Sequence, residues 1–180
     1  MNDDIKEILI SEEKLKQIVT DLGARISADY AGRELLLVGV LKGSVVFMAD
    51  IMRAVTIPCK IDFMSVSSYG DDTKSSGIVR IIKDLDDPVE GKNILIIEDI
   101  LDSGRTLSYI MEILRARKPA SIEICTLLDK PEMRKAQVVA KYSGARVPNE
   151  FVVGYGLDCA QLYRNLPYVG VLKPEKTHKK

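Results

Sequence analysis

A chain of 180 residues, 46% hydrophobic and 29% charged, fits one globular domain, or one with a small appendage, and can bury a core without covalent staples. Lys plus Arg balance Asp plus Glu at 26 each, which gives no electrostatic support to a nucleic-acid partner. The single histidine, His178 in the basic tail "KPEKTHKK", excludes mechanisms built on a histidine base or histidine metal ligand, and Cys59, Cys125 and Cys159 are too widely spaced for a C-x-x-C zinc or redox motif.

The acidic N-terminus "MNDDIKEILISEEKL" lacks the apolar run of a signal peptide. No uninterrupted apolar stretch reaches the ~18 residues of a membrane span. The expected setting is therefore the cytoplasm, with the cysteines as buried free thiols and no membrane partner. Ser11 can cap a helix running to Ala31, on which Leu15, Ile18, Val19 and Leu22 recur at helical spacing. "ELLLVGVL" is an apolar run of strand length, and "VVFMADIMRAV" follows as an apolar-faced helix ahead of Pro58. "CKIDFMSVSSYG" alternates like a strand and breaks into the polar, glycine-containing "GDDTKSSG", which has the make-up of a mobile loop. "IVRIIKDL" resumes as a strand, and "PVEGKN" is a turn. "NILIIEDIL" is a second buried strand, followed by a helix with Leu107, Ile110, Met111 and Leu114 on one face. "SIEICTLLDK" is another strand, and the remainder adds short strands and turns.

Apolar strands alternating with helices predict an α/β fold whose central sheet is mostly parallel and flanked by helices. Ligands in such sheets sit at the carboxyl ends of the strands. No repeat or linker divides the chain, so residues 1–180 read as a single domain. The N-terminal segment and roughly residues 131–180 are expected to form a small hood.

The stretch "ILIIEDILDSGRTL" carries the chemistry. Consecutive strand residues point to opposite faces, so Glu98 and Asp99 can share a site only if the strand ends there. The next helix is expected to start near Ser103 to Thr106. Its unpaired amides suit a phosphate, Gly104 allows close backbone approach, and Ser103 and Thr106 add hydroxyls. Taken on spacing alone, the same residues also suit a solvated strand end followed by an ordinary Asp102-Ser103 helix cap. Neither a Walker P-loop nor a G-x-G-x-x-G fingerprint is present.

"IIEDILDSGRTL" resembles the phosphoribosyl pyrophosphate motif of type I phosphoribosyltransferases. With "VLKGS" upstream and "LLDKPEMR" and "FVVGYGLDCAQLYRNLPYVGVL" downstream, the pattern is similar to the hypoxanthine-guanine members of that family, from about Leu35 to Leu172. The resemblance implies that Glu98 and Asp99 hold the ribose hydroxyls, directly or through magnesium. Asp102 becomes the general base near N7 of the purine, and Ser103, Gly104, Arg105 and Thr106 hold the 5′-phosphate. Lys42 and Gly43, in a loop that in the family often carries a cis bond at the position of Leu41-Lys42, bind pyrophosphate together with Arg164. Ser68 and Tyr69 match the tip of a loop that closes over the reaction. Lys130 selects a 6-oxo purine, Phe151 stacks on its ring, and the Val152 backbone reads its edge. Asp158 is associated with a second magnesium through water. Gly156 and Cys159 fall where the family varies and bear on base preference rather than on reaction type.

The implied reaction transfers the 5-phosphoribosyl group to N9 of hypoxanthine or guanine, giving the nucleoside monophosphate and pyrophosphate. Magnesium is the expected cofactor and small-molecule substrates the expected partners; a homo-oligomer, dimer or tetramer, follows from the family. Rival readings are a xanthine-preferring enzyme and a regulator of the same fold that senses phosphoribosyl pyrophosphate. The regulator would need an added nucleic-acid-binding domain or a basic face.

Overall fold

The computed structural model describes residues 1–68 and 79–177. Tyr69 and His178 lie outside them. In chain order the elements are β1 (Ile5–Ile10), α1 (Glu12–Asp29), β2 (Leu35–Leu41), α2 (Val45–Ala54), β3 (Cys59–Ser68), β4 (Val79–Lys83), β5 (Asn93–Leu101), α3 (Arg105–Ala116), β6 (Ser121–Asp129), β7 (Tyr142–Arg146), β8 (Val152–Val153) and β9 (Val169–Leu172).

Six strands form the main sheet in the order β4-β3-β2-β5-β6-β7. All neighbours in it are parallel except β3 and β4. The alternation of each strand divides the core. Leu35, Leu37, Leu95 and Ile97 face α1 and α2, while Leu36, Val38, Ile94 and Ile96 face α3. This two-sided burial is why β2 and β5 read as unbroken apolar runs. Ser11 caps α1 as expected, its Oγ accepting the Lys14 amide at 3.3 Å, and Leu15, Ile18, Val19 and Leu22 are buried on its inner face.

After β2 the chain moves outward to β3 and then returns to place β5 on the other side of β2. The order therefore reverses between β2 and β5. At such a switch point the connections leave the two strand ends in opposite directions and open a crevice. The loop 41–44 and the segment 98–104 border it.

A second sheet, β1-β9-β8, is antiparallel and brings the two ends of the chain together. Residues 131–180 do not all belong to it: Tyr142–Arg146 extends the main sheet beside β6, a correction to the expected extent of the hood. Tyr142 is buried against the α1 face, so this strand is core rather than cover. Strand β1 was not expected from its sequence. The cysteines are unpaired, with Cys125 and Cys159 buried and Cys59 only partly so.

Candidate active site

On the β2 side of the crevice, the Leu41–Lys42 peptide is cis. Buried Ser44 anchors the turn, its Oγ donating to the Val40 carbonyl at 2.7 Å. Gly43 packs against the neighbouring strand end so closely that a Cβ there would lie 1.7 Å from Asp99 Oδ2.

On the β5 side, "NILIIEDIL" forms the expected strand, and the condition for Glu98 and Asp99 to share one face is not met. β5 continues to Leu101, so Glu98 and Asp99 leave on opposite faces. Glu98 follows Ile94 and Ile96 toward α3. It lines a cavity of about 70 Å³ with Asp102, Ser103, Gly104 and Thr106. Its Oε2 is buried and has no hydrogen-bond partner among the described residues. Burial, with the Asp99 charge adding to it, pushes its pKa well above the usual carboxylate range. Asp99 follows Leu95 and Ile97 toward the loop at Gly43. Its Oδ1 accepts the Ile100 amide at 2.8 Å. Burial nonetheless raises its pKa from 3.8 to about 6; that amide bond and Arg164 pull it down, while Asp158 pushes it up.

The turn into α3 is made by Gly104 at φ 76°, a conformation that costs a side-chain-bearing residue about 1 kcal/mol or more. The first α-helical bond runs from the Ser108 amide to the Gly104 carbonyl, 2.8 Å. The amides of Thr106 and Leu107 thus have no acceptor within the helix, the condition for an anion site. The Arg105 amide makes only a long contact, 3.5 Å, to Ser103 Oγ. No side chain caps this helix, so an Asp102-Ser103 cap is absent and the cradle stands open. Arg105 itself is exposed.

Asp158 and Arg164, expected to serve opposite charges, are bonded to each other at 2.8 Å. Arg164 also donates to the Gly156 carbonyl at 2.8 Å and to Gln161 Oε1 at 3.1 Å. The same Gln161 oxygen accepts from Lys42 Nζ at 3.4 Å, and the Gln161 amide donates to Asp158 at 2.8 Å. Gln161 therefore links the two cations and the carboxylate. It was not among the expected residues, and its sequence context offered no signal. Gly156, at φ 101°, would place a Cβ 2.1 Å from the Gly43 carbonyl oxygen. It abuts the loop of Lys42 and Gly43.

The third wall joins Lys130, Phe151 and Val152. Buried Lys130 donates from Nζ to the Glu150 carbonyl at 2.7 Å, and its amide donates to the Leu101 carbonyl at 3.0 Å. Burial lowers its pKa, while Asp102 and Glu150 hold it up. Phe151 is 46% exposed, and Val152 is buried at the start of β8. The backbone of Ser68 ends β3. The corner thus offers an anion cradle, two convergent cations, two desolvated carboxylates and an aromatic shelf beside a buried lysine.

Comparison with known proteins shows the family of the chain. Residues 5–160 match the family model for the phosphoribosyl transferase domain. A hypoxanthine-guanine phosphoribosyltransferase of Staphylococcus aureus is 55% identical over 175 residues, covering 97% of this chain and 98% of that protein. A bifunctional protein TilS/HprT of Listeria innocua is 55% identical over 97% of this chain, which spans 27% of that protein. The crystal structure of a hypoxanthine phosphoribosyltransferase from Staphylococcus aureus superposes with a TM-score of 0.94 at 55% identity, covering 97% of this chain and 95% of that one.

Proposed function

The chain belongs to the phosphoribosyl transferase domain family, and from that premise we propose that it is a purine-salvage transferase that moves the 5-phosphoribosyl group from phosphoribosyl pyrophosphate to N9 of hypoxanthine or guanine. One observation carries the reading: the open amide cradle at the start of α3 directly follows two strand-end carboxylates at the β2/β5 switch point.

Each wall has a part in the reaction. The amides and hydroxyls of Ser103–Thr106 hold the 5′-phosphate. Glu98 and Asp99 approach the ribose hydroxyls from the two faces of β5. Lys42 and Arg164 take the pyrophosphate, and binding exchanges the Gln161 oxygen that both now share for phosphate oxygens. Phe151 stacks on the purine. Lys130 donates to O6, which a 6-amino purine cannot accept in the same way. Asp102 removes the purine proton while N9 attacks C1′ and the C1′–O bond to pyrophosphate breaks. With both reactants fixed, orientation supplies much of the acceleration.

Magnesium fits this donor set. Among the described residues there is no cluster of three or more His, Cys, Asp or Glu side chains able to hold a metal. Magnesium is commonly held by substrate phosphates, water and one or two carboxylates instead. Glu98, whose buried Oε2 lacks a partner, Asp99 and Asp158 would hold it. When bound it supplies charge neutralisation for the leaving pyrophosphate.

No helix among the described residues is long and apolar enough to cross a membrane, and a cytoplasmic setting belongs to this proposal. So does a homo-oligomer, supported by exposed Val45 and Met52 on one side of α2 and by exposed Leu162. The test is a panel of hypoxanthine, guanine, xanthine and adenine, each with phosphoribosyl pyrophosphate and magnesium, read by nucleotide chromatography. Hypoxanthine and guanine should give their monophosphates, with activity lost on chelation. Product from adenine alone, or from no purine, would overturn the reading.

A further inference from the structure

Arg134 has no part in the roles above, yet its side chain makes four hydrogen bonds or ion pairs beside the crevice. Its Nε donates to the Asp102 carbonyl at 2.9 Å. Nη1 donates to the Val138 carbonyl at 2.6 Å, and Nη2 to the Leu101 carbonyl at 3.3 Å. Nη2 also pairs with the Asp129 carboxylate at the end of β6. The side-chain stem runs beneath the turn, where a Cβ on Gly104 would meet Arg134 Cδ at 3.1 Å. The adjoining backbone continues the grip. The amides of Lys135 and Ala136 donate to the Ser103 carbonyl at 2.9 and 3.0 Å, and the Lys130 amide to the Leu101 carbonyl at 3.0 Å.

Three successive carbonyls, those of Leu101, Asp102 and Ser103, are thus all bonded by residues 130–136. In a planar trans peptide the C=O of one residue and the N–H of the next point in opposite directions. Fixing these carbonyls turns the amides of Asp102, Ser103 and Gly104 to the other side, away from Arg134. Three adjacent amides held in a turn make a concave anion nest. Asp102, Ser103 and Gly104 line the cavity that Glu98 also borders.

We propose that Arg134 is the positioning residue of the phosphate cradle: it anchors the carbonyl side of Leu101–Ser103 so that the amide side presents a preformed nest to a phosphate monoester. This rests on the function proposed above. Arginine suits the task because one rigid guanidinium reaches acceptors on two sides at once, which a lysine ammonium on a flexible stem does not. The grip also ties the cradle to Lys130, four residues earlier, so the phosphate and base walls are held in register.

The test measures two affinities on Arg134→Lys, which keeps the charge opposite Asp129, and on Arg134→Gln. Inosine monophosphate reports the cradle. Magnesium pyrophosphate reports the Lys42 and Arg164 side, which Arg134 does not touch. The expected result is a loss of about 10–100-fold for the nucleotide, the worth of one or two hydrogen bonds to a charged donor, with pyrophosphate affinity within roughly threefold and the thermal midpoint little changed in Arg134→Lys. Unchanged nucleotide affinity in both variants, or equal losses for both ligands, would overturn the proposal. A wild-type protein that binds neither ligand would count against the proposed function instead.

Discussion

Asp99→Asn is expected to stabilise the ligand-free protein while removing its activity, with the gain set by pH. Burial raises the Asp99 pKa from 3.8 to about 6, so folding favours the neutral acid. Between about pH 4 and pH 6 the native state keeps a proton that the unfolded chain has released. Stability therefore falls as pH rises through that window, and the loss is complete above it. A shift of about 2 units at ~1.4 kcal/mol each amounts to about 3 kcal/mol at pH 8. Asparagine carries no charge to desolvate, and its Oδ1 can keep the bond from the Ile100 amide. Its neutrality also relieves Glu98, which feels the Asp99 charge, a change of the same sign. In a chain of this size, 3 kcal/mol corresponds to roughly 6–12 °C in Tm. The assay is thermal unfolding of both proteins, with chelator and without substrate, at pH 4 and pH 8. The variant should melt higher at pH 8 and near wild type at pH 4. Equal midpoints at pH 8, or the same offset at both pH values, would refute the claim that this carboxylate is held desolvated for a ligand.

Asp102→Asn should lose about 10²–10⁴ in turnover and still bind phosphoribosyl pyrophosphate in a direct titration; near-normal turnover would remove Asp102 as the base. Lys130→Ala should reduce kcat/KM for the 6-oxopurine by about 100-fold with the KM for phosphoribosyl pyrophosphate little changed, and equal losses would count against base recognition. In the wild type, use of the 6-oxopurine should decline with rising pH earlier than an ordinary lysine would dictate, since burial lowers the Lys130 pKa. Gly156→Ala combines a φ of 101° with a Cβ 2.1 Å from the Gly43 carbonyl oxygen. It should cost about 1–3 kcal/mol in unfolding experiments and weaken pyrophosphate binding without altering the order of preferred bases.

The strands and helices that build the main sheet were legible because each announces itself locally. β2 and β5 are apolar on both faces, and α1 carries Ser11 at its start and one buried stripe. β1 was missed for the opposite reason. In "IKEILI" only Ile10 is buried and three residues are exposed in succession, and only pairing with β9, from the far end of the chain, makes it a strand. The same holds for function. The cradle was legible from Gly104 and the hydroxyls beside it, and the purine came from family resemblance. Gln161 and Arg134 bond partners far away in sequence, such as Lys42 for the first and Leu101 and Asp102 for the second, so no local pattern marks them.

The acid pair shows how the period-two rule sets the site when the strand runs on past it. Had β5 ended at Glu98, both carboxylates could have turned to one side as a clamp. Because it continues to Leu101, the proposed function has one strand serve both halves of the reaction. Glu98 lies with Asp102–Gly104 on the α3 face, and Asp99 with Gly43, Asp158 and Arg164 on the other, the side proposed for the leaving group. A substrate whose sugar lies across the strand end meets one carboxylate from each face, and its two phosphate groups fall to opposite sides. Under the proposed function the loop at Lys42 then holds the pyrophosphate and the turn at Ser103 the 5′-phosphate, apart, while the bond at C1′, between them, is exchanged. The adjacency of Glu98 and Asp99 in this view has a use: consecutive residues on a strand are the shortest way to send one carboxylate to each face of the sheet.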